Sequence, residues 1–283
     1  MTNRTNKALV LTALALASGV AMAGISNTKH NLTNAGPGPN RLDGTATNTQ
    51  EICVFCHTPH GSNTDATAPL WNKNLPDPAG YQVYGTGNSS TIDGATLTVG
   101  SVSAACLSCH DGTQAMDNMI NTPGSGTSPS ADPATAIYSW DTSLGGTATG
   151  IMGTTTIAML SQDLTNDHPV GIEYCGGGIT GSASAIAGSC TDTDFLTPTT
   201  RNINGQQVFY VNTAIGGSDE RQKTDIILYT RDFSGVGGDP VAPSVECASC
   251  HDPHVESKDP ATQVSFLRVS QAGSGVCLAC HNK

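Results

Sequence analysis

The string Cys-x-x-Cys-His occurs four times in this 283-residue chain, as CVFCH at Cys53 to His57, CLSCH at Cys106 to His110, CASCH at Cys247 to His251 and CLACH at Cys277 to His281. Random order at this composition would produce roughly 0.01 such strings. Two thiols at this spacing can each form a thioether to a haem vinyl group while the adjacent imidazole meets the iron. Structural zinc sites also combine Cys and His, but they pair C-x-x-C with distant partners and do not repeat CxxCH as a unit. Four haem c groups are therefore expected. Their covalent anchors are Cys53 and Cys56, Cys106 and Cys109, Cys247 and Cys250, and Cys277 and Cys280, with His57, His110, His251 and His281 as proximal axial ligands.

The chain holds eight histidines, so four remain as distal ligands: His30, His60, His168 and His254. The count matches two axial imidazoles for each of four irons and leaves no open position. Methionine is the rival ligand, but Met116, Met119, Met152 and Met159 read as packing residues. His60 and His254 each lie three residues beyond a proximal histidine, in CHTPH and CHDPH. Axial ligands must occupy opposite faces of one haem, so each of these two is expected to serve a neighbour: His60 the haem of His251, and His254 the haem of His57. His168 is followed by Pro169, which fixes the backbone, and preceded by Asp167, which could orient its ring. His30 lies close to a chain end, where residues are mobile unless something holds them.

Arg4 and Lys7 precede an apolar run, Ala8 to Val20, that ends in Ala21-Met22-Ala23. This is the pattern of a secretory signal peptide over 1–23, and covalent haem attachment outside the cytoplasm agrees with it. No other run approaches the length of a transmembrane segment. Removing 1–23 takes away two basic charges and no acidic ones, so the net charge of −11 becomes −13. That acidity argues against nucleic acid and anionic lipid as partners and favours basic proteins, cations or metal oxides.

Five Phe and two Trp make a thin aromatic complement for a chain of this length, and four haems would form the core in their place. The fold class expected is a mostly irregular multihaem cytochrome c with short α-helices at the CxxCH sites and a small β-hairpin element. Residues 24–112 carry the first two motifs and 241–283 the last two. Between them, 113–240 form a haem-free insert with His168, a helix candidate at Thr155 to Leu164, and a hairpin candidate at Asn204-Gly205. Cys175 and Cys190 are left after the haem cysteines are assigned, and an even remainder in an exported chain reads as a disulfide.

CVFCHTPHG, LTNDHPVGI and VECASCHDPH, followed by FLR and VCLACH, resemble the doubled-CXXCH multihaem cytochromes over most of the mature chain. The number of motifs, their order and the N-terminal KHNLT are most similar to the outer-membrane cytochrome E family of metal-reducing bacteria, whose subunits polymerise into extracellular filaments. The resemblance implies an electron-transfer protein, not an enzyme, with bis-histidine irons and a haem chain continuous from subunit to subunit. It also implies that His30 is the candidate to ligate a haem of the adjacent subunit, and that redox cytochromes and extracellular metal oxides are partners. A soluble periplasmic carrier is the alternative reading, and a multihaem reductase a third.

Overall fold

The computed structural model describes residues 24–85, 89–123, 132–182, 185–203, 205–213, 221–255 and 266–282; the expected signal peptide lies outside them. Most of the chain runs as turns and irregular segments, among which helices are short and strands antiparallel except for one small pair. Among the described residues no helix is long and apolar enough to cross a membrane.

Each CxxCH motif closes a helical turn. Cys53–Phe55 is a 3-10 turn, Ser101–His110 is helix α1, Cys247–Cys250 is α2 and Gly275–Leu278 is α3. The histidine N–H donates back to the first cysteine carbonyl in three of them: His57 to Cys53 at 2.8 Å, His251 to Cys247 at 3.2 Å and His281 to Cys277 at 2.9 Å. An i to i−4 bond of this kind puts both thiols and the imidazole on one side of the turn. Only α1 runs to ten residues, favoured by its alanines and ended by Gly112 at φ +75°, a left-handed conformation that glycine adopts freely.

The expected hairpin is present but belongs to something larger. Strands β1 (Gln82–Val83) and β2 (Asp163–Leu164) pair in parallel, and β4 (Ile179–Ser182) and β5 (Ala185–Gly188) form a small hairpin. The main sheet has five strands in the order β3 (Ile172–Glu173), β9 (Ala242–Val245), β8 (Ile226–Arg231), β7 (Gln206–Val211) and β6 (Thr199–Ile203). The hairpin β6–β7 turns through Gly205 at φ +84°, in register Thr199 with Tyr210 and Ile203 with Gln206. Along β8 Ile226 and Leu228 are buried while Ile227 and Tyr229 on the other face are less so, and all four residues of β9 are buried. A single small hairpin therefore understates the sheet, because β3 and β9 are short and lack a turn signal of their own.

No helix forms at Thr155 to Leu164. The segment turns repeatedly and ends in β2, consistent with the β-branched Thr154, Thr155 and Thr156 after Gly153 and with its carbonyls being used elsewhere.

Side chains make more of the interior than composition suggests. One cluster joins Tyr174, Ile179, Phe209, Ile226, Leu228 and Val245, with Cys250 and Cys280 against it. A second joins Leu32, Leu42, Phe55, Met116, Met119, Trp140 and Met152, with Cys56, Cys109 and Met159 against it. All four of these methionines pack in or against this second cluster. Each cluster carries cysteines from two motifs, so apolar side chains line the attachment sites in pairs. Cys175 and Cys190 form a disulfide with a Cα–Cα distance of 5.3 Å, closing the loop that holds β4 and β5.

Candidate haem-binding sites

The thiols follow one another through the molecule in motif order. Cys56 and Cys109 are electrostatic neighbours, the Cys106 and Cys247 thiols hydrogen-bond, and Cys250 adjoins both Cys277 and Cys280. First motif thereby meets second, second meets third and third meets fourth. Burial pushes the Cys56 and Cys280 thiols up to about 12 and Cys250 up to about 11.

The junction of the second and third motifs is built around a buried carboxylate. Glu246 precedes α2, and its Oε2 accepts from Gly100 N at 3.1 Å and from the Ser103 hydroxyl of α1. Its Oε1 meets Arg231 Nη1 of β8 at 3.0 Å, and Ser103 in turn accepts from Cys247 N at 3.0 Å. A Cβ at residue 100 would collide with the Glu246 carboxylate, which is why the first turn of α1 begins on glycine. Burial and full hydrogen bonding make this a rigid coupling of two attachment helices.

Five histidines have the same ring nitrogen engaged. Nδ1 lies 2.7 Å from Pro69 O in His57, 2.7 Å from Ala158 O in His110, 3.0 Å from Pro253 O in His30, 3.1 Å from Pro169 O in His168 and 3.3 Å from Asp252 Oδ1 in His254. An oxygen acceptor at Nδ1 requires the proton there and leaves the Nε2 lone pair outward, the form a metal-binding imidazole takes. His168 thus takes the neighbouring Pro169 carbonyl in place of the expected Asp167. Burial lowers the pKa of His110, the Ala158 carbonyl opposing, so the neutral ligand form is favoured.

Two pairs of imidazoles face each other. The His57 and His254 ring centroids are 6.0 Å apart with planes 10° from parallel, and those of His30 and His110 are 6.1 Å apart at 75°. Metal–nitrogen bonds of about 2 Å set the centroids of two axial imidazoles about 6 Å apart across one iron. The donor sets of these two sites therefore fit a six-coordinate haem iron: a thiol pair at vinyl spacing, two imidazoles, and Nδ1 of each imidazole already bonded.

The His254 ring, from the turn of the third motif, lies against His57 of the first. His30 is not a loose chain end. Thr28 and Asn31 beside it are buried, Phe266 stacks on its ring at 4.1 Å, and Pro253 of the third motif's turn holds its Nδ1. It faces His110 of its own chain, a different position from that expected of a ligand crossing between subunits.

His60 and His168 are exposed, and among the described ring contacts neither meets another imidazole. The turn of His60 is held through its carbonyl, which accepts from Thr58 Oγ1 at 3.0 Å and Asn121 Nδ2 at 2.9 Å. His281 packs on Phe195 at 4.3 Å and pairs with it across an isolated β-bridge, while His251 bridges Leu267.

Several participants carry no motif. The carbonyls of Pro69, Ala158 and Pro253 could come from any residue type, and no sequence signal marks them. Glu246 stands directly before CASCH and could be suspected as a cap, but its partners in α1 and β8 are distant in sequence. Lys73 lies fully buried near the first two motifs and has no signature at all.

A family description for the doubled CXXCH motif matches residues 239–283, the segment holding the third and fourth motifs. No curated protein matches the chain. The doubled motif is that of multihaem c-type cytochromes and implies haem c binding and electron transfer. The four motifs, with their paired thiols, are consistent with that assignment beyond the matched segment.

Proposed function

We propose that this chain is an exported tetrahaem c-type cytochrome that relays electrons along closely spaced bis-histidine sites and polymerises into an extracellular conductive filament. When bound, each haem c supplies a one-electron Fe(III)/Fe(II) couple. The protein's own part is to hold each site by two cysteines, saturate it with two imidazoles, and set the sites in sequence. The facing imidazoles, at 6.0 and 6.1 Å, carry the reading.

On this reading His57 and His254 serve the first site and His110 and His30 the second. His60 completes the site of His251 by the reciprocal logic of the two CHxPH turns. His168 is left for His281. Its segment leads into Ile172, which packs on the cluster that also receives Cys280. Saturated sites leave no position for a substrate, so the chain acts as a carrier and not as an enzyme. Export follows from the signal-peptide pattern of 1–23. Further copies of the chain, redox cytochromes and extracellular metal oxides are the partners that the resemblance to outer-membrane cytochrome E supports.

A soluble periplasmic carrier is the second reading, and one observation favours it: His30 faces a histidine of its own chain, so no ligand need come from a neighbour. Electron microscopy of the secreted protein separates the two. Filaments support polymerisation, whereas only small uniform particles at high concentration sink it. A pyridine haemochrome assay should return four haems per chain. A high-spin signal, or carbon monoxide binding by the reduced wild type, would instead show an open iron and revive a reductase.

A further inference from the structure

A fully buried lysine is uncommon, because taking an ammonium out of water is costly unless something meets it. Lys73 has 0% of its surface exposed. Its Nζ donates to three backbone carbonyls, Ala115 at 2.9 Å, Asn118 at 3.0 Å and Met116 at 3.4 Å. Three acceptors match the three N–H bonds of an ammonium, and a neutral amine has only two. The side chain is therefore charged as well as buried.

Its surroundings place that charge between the first two attachment sites. The preceding residue, Asn72, donates from its backbone to Cys56 O at 2.9 Å and from its side chain to Val54 O at 2.7 Å, inside the first motif. On the other side Met116, whose carbonyl receives Nζ, packs in the cluster that Cys56 and Cys109 adjoin. Asp117 also faces this interior, but its Oδ2 is taken by Ile137 N, Tyr138 N and Trp140 Nε1. Asp111, which follows α1, accepts from the Tyr81 hydroxyl at 2.6 Å through its Oδ2.

We propose that Lys73 is an electrostatic tuning residue that holds the sites at Cys53–His57 and Cys106–His110 at a higher reduction potential than they would otherwise have. Reduction lowers the positive charge at a bis-histidine iron by one, so a fixed nearby cation favours the reduced form. A buried charge is screened little by salt, so its effect persists at physiological ionic strength. The inference rests on the reading that these motifs carry haem.

The test compares wild type with Lys73→Met and Lys73→Gln by spectroelectrochemical titration, after a pyridine haemochrome count. Two of the four midpoints should fall by about 59 mV or more, a tenfold change in the reduced-to-oxidised ratio for one electron, while the other two stay. Lys73→Arg, which keeps the charge, should keep all four. Unchanged or raised midpoints in a fully loaded neutral variant overturn the proposal. So does failure of both neutral variants to load haem, which would make Lys73 structural. A wild type with fewer than four haems fails the tetrahaem reading instead, whatever Lys73 does.

Discussion

An imidazole becomes a dependable ligand when its other nitrogen is engaged, and here that engagement comes from afar. The acceptors for His57, His110 and His30 lie 12, 48 and 223 residues away along the chain. The histidines were legible in the sequence because CxxCH and the count of eight left few alternatives. Their acceptors were not, because a backbone carbonyl has no side-chain signature. The pairing of His254 with His57 can be checked singly. His254→Ala should leave about one of the four irons per chain open, seen as a new high-spin signal and one equivalent of carbon monoxide bound by the reduced protein. A variant that stays wholly low-spin and binds none would show that His254 does not ligate. In this experiment the other irons act as an internal reference.

Among the elements, the CxxCH turns are short because two thiols and an imidazole need only one turn to converge, and burial against neighbouring motifs holds that turn in place of helix length. The hairpin at Gly205 could be read locally, since its turn and its alternating strands are neighbours in sequence. The rest of the sheet could not: β3 pairs with β9 across some seventy residues, and nothing within Ile172–Glu173 announces a strand. Glu246 joins three elements at once, and removing it takes the carboxylate from Arg231, whose Nη1 keeps the Thr98 carbonyl at 2.7 Å. Glu246→Ala should destabilise by about 3 kcal/mol, read as a fall in thermal midpoint, with the haem count preserved once the protein has matured. An unchanged midpoint would mean that the buried network contributes no net stability. The Cys175–Cys190 disulfide offers a contrast. Cys175→Ser with Cys190→Ser should cost about 3 kcal/mol in the chain-entropy model while leaving every midpoint potential in place.

For the whole molecule, a net charge of −11 favours cationic partners, and that excess of negative charge is a property of composition alone. Association with a basic redox partner should slow as salt rises from 10 mM to 150 mM, because the Debye length shrinks from about 30 Å to about 8 Å. Stopped-flow rates that do not change with salt would remove long-range steering from the account. The sequence by itself determined the chemistry: CxxCH spacing is covalent geometry, complete within five residues, and the sum of charges needs no fold. Only the tertiary structure decided which rings face which, that His30 turns inward to His110, and that the thiols succeed one another in motif order. Those relations join residues tens to hundreds of positions apart, and they exist only once packing has closed the loops between them.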